Sequence, residues 1–287
     1  MGNNGRNLFV IMGADTNFIP PETLARLGFF AAIFFVVAQS ENIAPRRILL
    51  KSRFKRWISN LGMQIIDVVV LLLIFPVFPV GLAVICEQRG WGLLNYGHIM
   101  QPAALIIGVL VLDFVIYLQH RLFHFVPVFW RVHKVHHTDQ DIDVTTALRF
   151  HPLEIILSLL IKFAAVAAIG APPLSVLIFE ILLNGAAMFN HGNIKIPLSF
   201  DRIIRMVLVT PDMHRVHHSV IARETNSNYG FCFPWWDRIF GTYKAQPREG
   251  HEKMKIGLNG YHDERSVQLS ALLTMPFVNQ KRANDAE

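Results

Sequence analysis

The chain has 287 residues, 52% of them hydrophobic and only 17% charged, below the roughly one quarter usual for soluble domains. That balance argues against an ordinary soluble globule and for a membrane. The net charge of +6 does not point to nucleic acid, because the basic residues lie between hydrophobic runs, notably Arg46, Arg47, Lys51, Arg53, Lys55 and Arg56.

Taken in chain order, a polar stretch from Met1 to Thr16 is followed by Pro20, Pro21 and the first apolar run. This order does not match a basic n-region leading into a short apolar h-region, so no cleaved signal is read. Four apolar tracts follow: Leu24 to Ala38, Leu61 to Cys86, Pro102 to Leu118, and Ile155 to Phe189. A helix needs about 20 residues to cross a bilayer core. Pro76 and Pro79 should kink or end the second tract, since proline lacks the backbone donor. The fourth tract is too long for one crossing and is broken by Gly170, Ala171, Pro172 and Pro173, which predicts a helical hairpin with arms of roughly 15 to 17 residues.

The basic loop at 42–60 marks the cytoplasmic side, where positive loops are retained. The second tract then exits, the third re-enters, and the hairpin returns to the starting face. Segments 119–151 and 190–262 therefore fall together on the cytoplasmic side, with His98 opposite. An interfacial helix is expected between Pro197 and Val209, where Arg202 and Arg205 alternate with Phe200, Ile203, Ile204 and Val207. The tail after Leu273 is expected to fray. Cys86 and Cys232 stand far apart with no CxxC pattern, which leaves neither a disulfide framework nor a thiolate metal site and is compatible with a reducing compartment. The expected architecture is all-α, an integral membrane helical bundle with a cytoplasmic histidine-rich helical cap. Its expected divisions are 1–101 (polar segment, two transmembrane helices and basic loop), 102–262 (the domain that carries the histidine motifs) and 263–287 (tail).

Three histidine clusters dominate the chain: His120 and His124 as HxxxH, then His133, His136 and His137, and His214, His217 and His218, each as HxxHH. Residues three and four apart share a helical face, so each cluster presents its imidazoles to one side. Pro127 can open the second segment, and Thr210 as N-cap with Pro211 at the first helical position can open the third. Two copies of HxxHH are hard to ascribe to chance, although a lone histidine is usually a surface or hydrogen-bonded residue. Imidazole suits iron, copper, zinc and nickel alike. The count says more: eight donors exceed one octahedral ion, and His191 in Phe189-Asn-His-Gly-Asn193 makes nine, so at least two ions are implied.

Ligand histidines need their second ring nitrogen held by a carboxylate or carbonyl. Asp113, Tyr117, His120 and His124 follow spacings of four, three and four along one face. Asp113 lies within an apolar tract, where an ionisable residue is costly and usually functional, so it is assigned a supporting role behind the imidazoles. Tyr117 and Asn193 are assigned the same role. His151, ahead of Pro152 and Glu154, reads first as a helix-start residue, with ligation left open. His98, His251 and His262 have no partners in sequence. A histidine-rich metal transporter is the competing class, but an ion path needs ionisable residues spread through several membrane helices. A zinc hydrolase would want an HExxH base beside its ligands, and none is present.

From Asp113 to Tyr243 these motifs resemble the fatty acid hydroxylase/sterol desaturase superfamily of membrane di-iron enzymes. The resemblance includes Asp113 to Tyr117, His120 to His124, Trp130 to His137, Phe189 to Asn193 and Pro211 to His218. It continues through Asn228-Tyr229-Gly230 and Trp236 to Tyr243. The pattern looks more like the alkylglycerol monooxygenase and sterol C-5 desaturase branch than like acyl-CoA desaturases, whose first spacing is longer. It departs from fatty acid 2-hydroxylases at Ala187, where those carry a further histidine. The resemblance implies two iron ions, oxygen, a lipid substrate, and hydroxylation or desaturation of a C–H bond. It also implies electrons from a separate reductase, ferredoxin or cytochrome b5-type donor, since the chain shows no GxGxxG loop.

Overall fold

A computed structural model describes residues 21–278. The stretch Met1 to Thr16 and the end of the tail lie outside the described residues. Among the described residues, five helical spans are long and apolar enough to cross a membrane: Glu22–Ile43, Arg53–Tyr96, Gln101–Phe125, Pro152–Ile169 and Pro173–His191. Among the described residues there is no strand, only isolated bridges pairing Pro45 with Ile194 and Ser219 with Ile256. The protein is a membrane-spanning all-α bundle.

Helix α1 (Pro21–Ile43) lays Val37 and Ala38 against the bundle and turns Phe29, Phe35 and Val36 outward. Helix α2 (Arg53–Ile74) is patterned inside out. Its buried residues are Arg56, Ser59, Asn60, Met63 and Asp67, spaced three or four apart on one face. Ile65, Val68, Val69, Leu72 and Leu73 are exposed. A helix that hides its polar face and shows its apolar one is suited to lipid surroundings.

Proline ends and restarts this span as expected. Helix α2 stops at an extended Phe75 ahead of Pro76, and α3 (Pro79–Arg89) begins with Pro79 at its first position. Helix α3 closes on Gly90, whose φ of 67° places it in the left-handed region that favours glycine. The short α4 (Leu93–Tyr96) leads into α5 (Gln101–Phe125). Helix α6 (Pro127–His137) starts at Pro127 after an extended Val126. The hairpin is α7 (Pro152–Ile169) and α8 (Pro173–His191), with Gly170 closing α7 in the left-handed conformation.

The hairpin tip packs against the α3–α4 connection so closely that a Cβ on Gly92 would stand 2.1 Å from the Gly170 nitrogen. That contact sits at one end of the bundle, and the histidines sit at the other. One apolar cluster joins Ala83, Val109, Ile116, Val176 and Phe179 across α3, α5 and α8.

Over the histidine end lies a cap of short elements, including α9 (Leu198–Ile204) and α10 (Pro211–His217). Helix α9 turns Leu198, Phe200 and Ile203 outward and its Asp201 inward onto Arg205. The basic loop, expected simply to mark a membrane side, also ties the cap together. Arg46 pairs with Asp212 (3.2 Å) and Glu252 (3.0 Å), and Arg47 donates to the carbonyls of His251 and Met254. Arg56 grips Asp139 through two bonds of 2.8 and 2.9 Å.

The tail corrects an expectation. Its described part, to Val278, stays packed beyond Leu273, with a 3-10 turn over Met275–Phe277 and the Arg131 Nε donating to the Pro276 carbonyl at 2.9 Å. The reason is apolar: Leu272 and Met275 complete a cluster with Met63, Val135 and Tyr261.

Candidate metal centre

All nine histidines singled out from the sequence meet at one end of the bundle. They form two groups, His120, His124, His133, His137 and His217 in one, and His136, His191, His214 and His218 in the other. Within each group the ligating atoms lie within 4.8 Å of one another. Every i, i+4 pair shares a group, while the remaining histidine of each HxxHH crosses to the other. The groups abut: the His137 and His218 rings stack with centroids 4.6 Å apart.

Local structure explains how the imidazoles are aimed. Helix α5 delivers His120 and His124 from its last two turns. Helix α10 is capped by the Thr210 side chain, which accepts from the Met213 N–H, with Pro211 at the first position. His191 closes α8, and its Nδ1 donates to the Ala187 carbonyl at 2.7 Å. The other anchors are also acceptors, so the tautomer follows: His120 Nδ1 donates to the Tyr229 carbonyl (2.8 Å) and His217 Nδ1 to the Ser227 carbonyl (2.7 Å). His133 Nδ1 meets Glu154 Oε1 at 2.6 Å. With Nδ1 so engaged, Nε2 of His120, His133 and His217 is buried, faces the group and has no protein partner, as does Nε2 of His124.

This arrangement fits metal ions. Buried polar atoms left unpaired are costly, and here they converge. In the four-histidine group, Nε2 of His191 lies 3.1 Å from Nε2 of both His136 and His214, and that of His218 lies 3.3 Å from His214. An ion bound at about 2.1 Å by imidazole nitrogens holds neighbouring donors about 3.0 to 3.4 Å apart, the octahedral and tetrahedral limits. Burial disfavours the imidazolium form and the neighbouring rings add to the effect. The His133 pKa is pushed down to about 3 by burial, and those of His136, His137, His214, His217 and His218 are held well below the usual histidine value. Neutral rings keep their lone pairs free for a metal.

The residues assigned a supporting role sit elsewhere. Asp113 touches none of the nine imidazoles; it accepts from the Trp236 indole N–H (2.8 Å) and the Cys232 N–H (3.3 Å). It shares a face with His120 but lies seven residues, about 10 Å, further down the helix. The Tyr117 hydroxyl bonds Thr242 at 2.9 Å, and the Asn193 side chain exchanges hydrogen bonds with the Arg47 backbone. All three brace the loops behind the site. His151 lies outside both groups. It caps α7 by accepting from the Leu153 N–H, and its Nε2 donates to the Leu273 carbonyl (3.1 Å).

Several contributors escaped sequence reasoning. Glu154 is 3% exposed and holds His133; an acidic residue at the start of an apolar hairpin was its one signal. Asp237 accepts from the N–H groups of Tyr229 and Gly230, both at 2.8 Å, and so fixes the carbonyl that orients His120. Asn228, at a φ of 53°, ties that loop to Met213 and Lys244. Phe150 stacks on His136 at 4.5 Å with planes 8° apart.

A cavity of about 280 Å³ opens from this centre into the bundle. His120 and His133 stand at one end, Phe123 and Phe231 flank it, and it runs between α2, α5, α7 and α8 as far as Lys162 and Asn184. The arrangement places His120 and His133 against a largely apolar chamber between the helices.

Residues 105–242 match the fatty acid hydroxylase family model. The chain is 28% identical over 180 residues to the ornithine lipid hydroxylase OlsE of Rhizobium tropici, covering 62% of this chain and 51% of that protein. It is 33% identical over 154 residues to alkylglycerol monooxygenase of Homo sapiens, covering 51% and 31%. It is 26% identical over 144 residues to cholesterol 25-hydroxylase of Rattus norvegicus, covering 50% and 47%. The aligned part thus spans about half or less of each of these relatives. No solved structure matches the chain.

Proposed function

Because this chain belongs, through residues 105–242, to the fatty acid hydroxylase family, we propose that it is an oxygen-dependent, non-haem di-iron enzyme acting on a C–H bond of a membrane lipid. One observation carries the reading: nine imidazoles, eight of them buried and His124 half-buried, form two abutting groups, and two of the nine, His120 and His133, line a largely apolar cavity. The five-histidine group holds one iron and the four-histidine group the other, with 102–262 as the catalytic unit. The relatives are named as hydroxylases and a monooxygenase, which favours hydroxylation over desaturation.

A pair of irons supplies activation of oxygen. The chain's own residues do the rest. Glu154 and the carbonyls of Ala187, Ser227 and Tyr229 fix ring orientation and tautomer, so donors need no rearrangement when metal binds. Phe123, Phe150 and Phe231 exclude water, and the chamber lays an extended lipid alongside His120 and His133. Electrons arrive from a separate donor protein, a reductase, ferredoxin or cytochrome b5-type carrier. The basic loop at 42–60 supports a cytoplasmic position for the centre, where such donors are found.

The test uses protein purified from membranes and reconstituted with host lipid, iron and a reducing system. Oxygen consumption with a lipid product heavier by one oxygen atom is expected, and both should vanish in His217→Ala. Metal flux across proteoliposomes without oxygen consumption would instead establish a transporter.

A further inference from the structure

The cavity does not end in hydrocarbon. Lys162 lies on its wall, on the same helix as Glu154 but eight residues on, about 12 Å further from the metal-centre end. The Lys162 ammonium is 3.4 Å from Glu180 Oε1, and Arg26 Nη1 is 2.7 Å from Glu180 Oε2. The side chains are 14%, 26% and 9% exposed for Lys162, Arg26 and Glu180. Two cations therefore share one carboxylate at membrane depth. Lys162 is seven residues from the end of α7 and Glu180 seven from the start of α8, each about 10 Å from the hairpin tip.

Ionisable residues at such depth are costly and mark substrate pathways. A pair alone would neutralise itself, but two cations on one carboxylate leave the cluster with one uncompensated positive charge, and its lysine lines the chamber. Asn184 lines the same end, and Gln64 adds a polar side chain to the wall.

We propose that Lys162 anchors an anionic oxygen group, carboxylate or phosphate, at the end of the lipid substrate remote from the reacting carbon. The substrate then lies with its charged end towards the hairpin tip and its chain directed at His120 and His133. The separation between anchor and centre then sets which carbon is attacked, so Lys162 selects both the substrate class and the position of reaction. This rests on reading the cavity as the substrate chamber.

Binding tests it without turnover. Equilibrium binding of palmitate, hexadecyl phosphate and uncharged methyl palmitate to the detergent-purified full chain should favour an anion over the ester by at least about tenfold, the range of a charge-assisted hydrogen bond. The two anions identify which source of the charge is preferred. Lys162→Met should abolish that preference while leaving methyl palmitate affinity intact. Glu180→Gln removes the competing carboxylate and should enlarge the preference. Equal binding of anions and ester by the wild type, or a preference that survives in Lys162→Met, would overturn the proposal. If Lys162→Met does not fold, a preference unchanged or reduced in Glu180→Gln does the same. Because binding is read without metal turnover, its failure leaves the oxygenase reading standing, and loss of turnover with binding intact leaves this one standing.

Discussion

Glu154 offers the sharpest perturbation of the centre, because it holds one of the nine imidazoles while belonging to neither histidine group. Its carboxylate lies 2.6 Å from His133 Nδ1, with Glu154 3% and His133 1% exposed. Charge-assisted hydrogen bonds of this kind contribute about 1.5 to 3 kcal/mol. Removing the partner of a metal-bound histidine typically weakens metal affinity about 10- to 100-fold, or about 1.4 to 2.7 kcal/mol, so the two scales agree. Glu154→Gln keeps an acceptor oxygen and loses the charge, which should cost about tenfold. Glu154→Ala leaves the ring free to turn and should approach a hundredfold. Iron retained by the purified protein against a graded chelator series reads both. Wild-type retention in Glu154→Ala, or a glutamine variant weaker than the alanine one, would refute the orienting role.

The crossed division of the histidines predicts separable losses: His191→Ala should release the ion of the four-histidine group, and His217→Ala that of the five-histidine group, seen as partial iron loss by elemental analysis. Acid should also release metal. The folded state holds His133 and its neighbours neutral with depressed pKa values, so the unfolded chain takes up more protons once pH falls below about 6.5. Their contribution to stability is present above that value and drains away as pH falls towards their folded values; melting temperature against pH should decline there, and a flat profile would contradict this. Gly92→Ala would place a Cβ 2.1 Å from the Gly170 nitrogen at a φ of 93°, and should destabilise the fold by on the order of 2 to 3 kcal/mol in thermal unfolding. Arg56→Met strands Asp139, whose pKa, raised by burial alone, is held down to about 2 by Arg56; a loss of about 3 to 5 kcal/mol is expected in the same assay.

The helices were legible because their punctuation is local. Pro79, Pro127, Pro152, Pro173 and Pro211 each open a helix, and Gly90 and Gly170 each close one in the left-handed conformation. The meeting of the nine histidines was also within reach, since the hairpin break at Gly170 to Pro173 forces His191 back to the end where α5 delivers His120.

What local pattern does not carry is the choice between two adjacent groups. An i, i+3 and i, i+4 spacing puts His133, His136 and His137 on one face, but the tertiary position of α10 decides that His136 joins His214 and His218. The acceptors at Ser227, Tyr229 and Ala187 are backbone carbonyls, which any residue provides, so they leave no signature. Asp113 follows the right helical face at the wrong depth, and its partner is the Cys232–Trp236 segment over a hundred residues on. The basic loop reads as a mark of membrane sidedness alone because several of its acidic partners, among them Asp139, Asp212 and Glu252, lie far along the chain.

Metal content per chain, measured by elemental analysis on protein purified from membranes and reconstituted anaerobically with ferrous iron, tests the central claim most directly. The account predicts two irons per chain, one held by each histidine group. A single ion, or none retained while the protein stays folded, would contradict it.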